Sequence, residues 1–76
     1  MNEWIAVDPE VLGGKPCIRG TRISVAHLLE LLASGASRED VTRAHPQVTS
    51  EALSAALAYA AQALRNERIW EVKIPA

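Results

Sequence analysis

Phenylalanine is absent from this chain, and only Trp4, Tyr59 and Trp70 are aromatic. Side-chain volume is correspondingly scarce, because 13 of the apolar residues are alanine. Burial energy follows apolar area, and a domain of this size buries only about 60 % of the surface it exposes when unfolded. The 76 residues therefore allow one domain, and they exclude large multi-step enzymes and wide substrate clefts. A second copy or another partner is expected to supplement so thin a core. Basic excess is missing too: eight Lys and Arg stand against nine Asp and Glu, for a net charge of −1. Dedicated nucleic-acid modules are usually basic, since phosphate neutralisation supplies most of their affinity. The single cysteine, Cys17, excludes an internal disulfide and fits a reducing cytoplasm. No basic segment followed by a long apolar run marks a signal peptide, and no apolar stretch suffices for a membrane span. The expected setting is soluble cytoplasm. Repeats and low-complexity linkers are lacking, while an apolar fraction of 49 % excludes a disordered or collagen-like chain.

What is present reads as short strands followed by three helices. Residues 4–7 suit a short strand, and Pro16-Cys17-Ile18 suits a second one beside it. Asp8-Pro9-Glu10 resembles a helix start that Gly13-Gly14 limits to a single turn. Ser24 is the expected cap of a first helix in which Val25, Leu28, Leu29 and Leu32 recur at helical spacing, with Gly35 as its left-handed stop. Ser37, with an acid three residues on at Asp40, opens a second helix that His45-Pro46 ends. Thr49 caps a third helix, where Leu53, Leu57, Ala60 and Leu64 lie on one stripe and seven alanines fall between positions 52 and 63. From Ile69 to Pro75 the period changes to alternation, with Trp70, Val72 and Ile74 on one face, which is strand spacing. The expected organisation is a domain over residues 1–68 with a tail over 69–76.

Three helices with short connections suggest a helix-turn-helix core. The run Gly14-Lys15-Pro16-Cys17-Ile18-Arg19-Gly20-Thr21-Arg22-Ile23-Ser24-Val25 resembles the signature of the family called domain of unknown function 433. Leu31-Leu32-Ala33-Ser34-Gly35 and Ala55-Ala56-Leu57-Ala58-Tyr59-Ala60 resemble it as well, so the likeness covers about residues 3–64. The resemblance implies a homeodomain-like, mostly α fold, close to winged-helix domains, with a small N-terminal β element. It also implies an antitoxin of a type II toxin–antitoxin pair, encoded beside a PIN-like ribonuclease toxin. It supplies no catalytic residues and does not itself show DNA binding.

The candidate sites follow from charge and spacing. Lys15, Arg19 and Arg22 occupy residues 13–29 without an acid, and Arg38 and Arg43 lie on the second helix. These five are the candidates for gripping DNA phosphate or partner carboxylates, since guanidinium binds both in bidentate fashion. The competing reading pairs the turn arginines with Glu30 or the acidic N-terminal residues. The third helix, which would read bases in a helix-turn-helix, carries no Arg, Lys, Asn or Gln from Thr49 to Ala61, and Glu51 near its start repels phosphate. Its face of Leu53, Ala56, Leu57, Ala60 and Leu64 fits burial better, in the core or against a second copy. In the tail, Arg65, Arg68, Trp70, Val72 and Ile74 are candidates for docking on the toxin, with Trp70 as anchor. The alternative is a third strand pairing with residues 4–7.

Cys17, His27 and His45 lack an orienting Asp or Asn and share no metal-ligand spacing, and Gly13-Gly14-Lys15 is no phosphate loop. No catalysis, metal or cofactor is expected. The function expected is neutralisation of a ribonuclease toxin by a homodimer, with autoregulatory DNA binding as a complex. A stand-alone transcription regulator is the rival reading.

Overall fold

Ser24, Ser37 and Thr49 each cap the start of a helix, and these three caps set the architecture. In the computed structural model, which describes residues 3–65, the Ser24 hydroxyl accepts the His27 N–H at 3.0 Å and α1 runs Val25–Ala33. The Ser37 hydroxyl accepts the Asp40 N–H at 3.1 Å, and Asp40 Oδ2 accepts the Ser37 N–H at 2.9 Å. This reciprocal box opens α2, Arg38–Ala44. Thr49 Oγ1 accepts the Ala52 N–H at 3.1 Å and opens α3, Ser50–Arg65. All three caps stand where the sequence places them.

The helix ends are equally local. Gly35 takes φ 104, a region that only glycine enters freely. Its N–H donates to the Leu32 carbonyl at 3.1 Å, and the Ala36 N–H donates to the Leu31 carbonyl at 3.1 Å. That crossed pair is a Schellman stop. His45 closes α2, its N–H reaching the Val41 carbonyl. The Val48 N–H then bonds the His45 carbonyl at 2.8 Å, a tight turn that drops Val48 into the interior.

The two strands are shorter than their sequence signals. β1 is Ile5–Ala6 and β2 is Cys17–Ile18, paired antiparallel with Ile5 opposite Ile18 and Ala6 opposite Cys17. Between them a one-turn segment, Leu12–Gly14, holds three successive residues at positive φ. Beyond β2 the chain doubles back, so that the Ile18 N–H bonds the Ile23 carbonyl and the Val25 N–H bonds the Pro16 carbonyl, both at 2.9 Å. β2 is thereby bonded on both sides over only two residues.

The domain is thus mostly helical, three helices with a small N-terminal two-stranded antiparallel sheet. Its core joins Ile5 and Ile18 of the sheet, Val25 and Leu28 of α1, Val41 of α2, Val48 of the turn, and Ala52, Leu53 and Ala56 of α3. Each fully buried Ile, Leu or Val contributes about 1.5–3 kcal/mol. The alanines at 52 and 56 have a role in this: they let α3 lie close against α1 and β1. The buried face of α3 is accordingly turned toward Ala52, Ala56 and Tyr59. Leu57 is only half-buried, and Leu64 is 52 % exposed. The expected strand from Ile69 to Pro75 lies outside the described residues.

Candidate functional site

The turn Arg19-Gly20-Thr21-Arg22 follows β2, and each of its residues has a different task. Gly20 holds φ 80 with open space where a side chain would stand, so glycine is needed for the backbone and not for room. Thr21 locks the turn: its N–H and its hydroxyl both donate to the Ile18 carbonyl, at 3.0 and 2.8 Å, and its hydroxyl accepts the Ile23 N–H at 3.0 Å. Arg19 faces the first strand. Its Nε donates to the Glu3 carbonyl at 2.8 Å and its Nη2 to the Ile5 carbonyl at 3.1 Å. Arg22 is exposed and has no hydrogen bond or ion pair among the described residues.

The five cations that the sequence groups as anion ligands therefore divide. Arg19 is a clip on the N-terminal strand, and it meets that segment through backbone carbonyls rather than through the acids of the competing reading. Arg38 ties α2 to the first turns of α3: its Nη2 donates to the Ser50 carbonyl at 3.0 Å, to Ser50 Oγ at 3.1 Å and to Ser54 Oγ at 2.7 Å. Arg43 lies along its own helix, 3.6 Å from Asp40 and 3.9 Å from Glu39, in exposed pairs of little energetic weight. Lys15 and Arg22 remain, both exposed and both without a partner among the described residues. Sequence reasoning missed the division because the acceptors of Arg19 and Arg38 are backbone carbonyls and serine hydroxyls. Such acceptors leave no charge pattern.

Arg22 stands on the rim of an open hollow of about 610 Å³. Three chain segments build it: Ala6, Asp8 and Val11 from β1 and the bend after it; Cys17, Ile18, Gly20, Thr21 and Arg22 from β2 and its turn; and Gln47 from the link between α2 and α3. Cys17 is buried, and its Sγ donates to the Lys15 carbonyl at 3.2 Å. Asp8 is partly engaged, since its Oδ1 accepts the Glu10 N–H at 2.9 Å. No ion pair joins Asp8 to Arg22 across the hollow among the described residues.

His27, in the first turn of α1, and His45, at the C-terminal cap of α2, pack edge to face with ring centroids 5.3 Å apart. Among the described residues no group of three or more His, Cys, Asp and Glu could hold a metal ion. The Ser37 N–H and hydroxyl hold the Asp40 carboxyl below its ordinary value, with a further contribution from Arg43. That shift belongs to the helix cap, not to the hollow. No described helix is long and apolar enough to cross a membrane. Leu53 and Ala56 are buried, Leu57 and Ala60 half-buried and Leu64 exposed. Arg65 ends α3 at the surface, and Arg68, Trp70, Val72 and Ile74 lie outside the described residues.

The comparisons with known proteins agree with one another. The family model described as "Protein of unknown function (DUF433)" matches residues 5–60. "Uncharacterized protein y4eO" of Sinorhizobium fredii (strain NBRC 101917 / NGR234) is 37 % identical over 67 residues, which is 87 % of this chain and 30 % of that protein. The crystal structure of a DUF433 member protein from Anabaena variabilis is similar with a TM-score of 0.76 and 39 % identity, over 78 % of this chain and 58 % of that one. The chain thus spans less than a third of the curated relative. Its match to the family model runs from β1 through most of α3 and includes the whole Arg-Gly-Thr-Arg turn, so the chain belongs to the DUF433 family.

Proposed function

We propose that this chain is a protein-binding module acting as the antitoxin of a type II pair, and that it neutralises a PIN-like ribonuclease without catalysis of its own. The observation that carries the choice of a protein over DNA is the fate of its arginines. Arg19 and Arg38 are engaged within the domain, and Arg43 lies along its own helix beside Glu39 and Asp40, which leaves Lys15, Arg22 and Arg65 as the cations whose side chains meet no acceptor among the described residues. Ser50 and Ser54, the polar residues at the exposed start of α3, are engaged by Arg38. The helix that would read bases thus offers no positive charge and no serine left unengaged at that end, and the exposed Glu51 stands there instead.

The resemblance of the Gly-Lys-Pro to Ser-Val run supports the antitoxin assignment, and the exposed cations Lys15, Arg22 and Arg65 complement a nuclease site built from carboxylates. A homodimer fits the half-open face at Leu57 and Leu64. Autoregulatory DNA binding would then need the assembled complex. The test is to read the neighbouring frames for a PIN-like nuclease and to co-express it with this chain. Growth restored and a complex that co-purifies are expected. Persistent growth arrest with no co-purification contradicts the reading. A sequence-specific operator shift by this chain alone, with steep salt dependence, would favour a stand-alone regulator instead.

A further inference from the structure

The hollow beside Arg22 is not explained by the stability of the fold. Its lining mixes buried or half-buried apolar residues, Ala6, Val11 and Ile18, with the exposed polar residues Arg22, Asp8 and Gln47. Its volume of about 610 Å³ falls within the usual range of ligand sites, about 300–1,000 Å³. Arg22 and Asp8 carry opposite charges on one hollow yet do not pair with each other. Thr21 and Gly20 fix the backbone at the turn, so the point from which the Arg22 side chain springs is set before any ligand arrives.

We propose that this hollow receives an extended, mainly apolar peptide segment of the partner protein, one that carries a single carboxylate for Arg22. A guanidinium that meets no acceptor among the described residues can bind a carboxylate in bidentate geometry. Asp8 across the hollow favours peptide N–H donors and repels a polyanion, which separates a peptide from a nucleic-acid backbone. Gln47 has a donor and an acceptor with which to pair a peptide group. The apolar part of the lining takes the small aliphatic side chains on either side of the acid. The proposal deepens the reading of this chain as a protein-binding module and rests on it.

The test is a titration followed by two-dimensional amide NMR. The probe is a pooled library of N-acetylated, amidated tetrapeptides with one position fixed as Asp or Glu and the others drawn from Ala, Val, Leu and Ile. Shifts confined to Ala6, Gly20, Thr21, Arg22 and Gln47 are expected. Binding should weaken about tenfold, the scale of one charged hydrogen-bond pair, when the fixed acid becomes Asn or Gln, and equally when Arg22→Gln is used. That variant removes no side-chain bond among the described residues, so its spectrum away from the turn should match the wild type. Shifts elsewhere, no shifts, or equal binding of the amide library overturn the proposal. So does a stronger response of the same residues to inorganic phosphate or a DNA duplex. Nuclease neutralised equally by wild type and Arg22→Gln, without peptide binding, would remove this site and leave the antitoxin reading. Peptide binding without neutralisation would do the reverse.

Discussion

Arg19 reaches back 14 residues to bond the Ile5 carbonyl at 3.1 Å, and so fastens the strand that supplies Ile5 to the core. β2 does not use that carbonyl, since the Ile18 N–H turns to Ile23. Arg19 therefore occupies an acceptor that a third strand along β1 would need. Covering a strand edge with a side chain is a common guard against unwanted pairing.

This separates two arginines that look alike in sequence. Arg19→Ala should cost about 1–2 kcal/mol, the scale of two partly exposed charged hydrogen bonds. Arg22→Ala should change stability by less than about 0.5 kcal/mol, as surface substitutions usually do. Urea denaturation of both variants checks the contrast; equal losses would refute it.

Arg38 and Ser54 should be coupled, because their contact of 2.7 Å joins the start of α2 to α3. In a double-mutant cycle of Arg38→Ala and Ser54→Ala, a coupling of about 0.5–1 kcal/mol is expected. Additive losses would mean that the bond carries no stability.

The leucines of α3 should behave very differently from one another. Leu53 is fully buried, so Leu53→Ala should cost about 2–5 kcal/mol. Leu64 is 52 % exposed, and Leu64→Ala should leave unfolding of the separate chain almost unchanged. It should weaken self-association in sedimentation if the half-open face binds a second copy. An unchanged sedimentation profile would remove this face from the dimer.

The α2 cap should be sensitive to acid. Asp40 is held below its ordinary value of 3.8 by Ser37, so its folded-state value is depressed. The stabilisation is then present above about pH 4 and is lost as pH falls through the lowered folded value. Amide shifts of Ser37 and Asp40 should titrate together below 3.8. Ser37→Ala removes the hydroxyl but keeps the backbone N–H, so it should move the Asp40 transition part of the way back up; a transition that stays put would show that the hydroxyl does not contribute.

The sequence disclosed what depends on neighbours along the chain. Ser24, Ser37 with Asp40, Thr49 and Gly35 all stand where capping chemistry puts them. The core face of α3 was less legible. Periodicity selects Leu57 and Leu64, but alanines allow closer approach, and the helix is turned to bury Ala52 and Ala56 beside Leu53. The site was legible as a motif and not as a geometry. Arg19 and Arg22 flank the same turn, and only the fold shows that one is spent on carbonyls of residues 3 and 5. The hollow itself joins segments near residues 6, 20 and 47, a proximity with no local signal.

The most direct measurement is the affinity of this chain for a PIN-like nuclease, the partner that the proposed function requires, by calorimetry, with wild type, Arg22→Glu and Arg43→Glu. The account predicts measurable binding by the wild type and a loss of at least about tenfold for Arg22→Glu, a charge reversal against a partner carboxylate. It predicts little change for Arg43→Glu. Failure of the wild type to bind, or equal loss from both reversals, would contradict it.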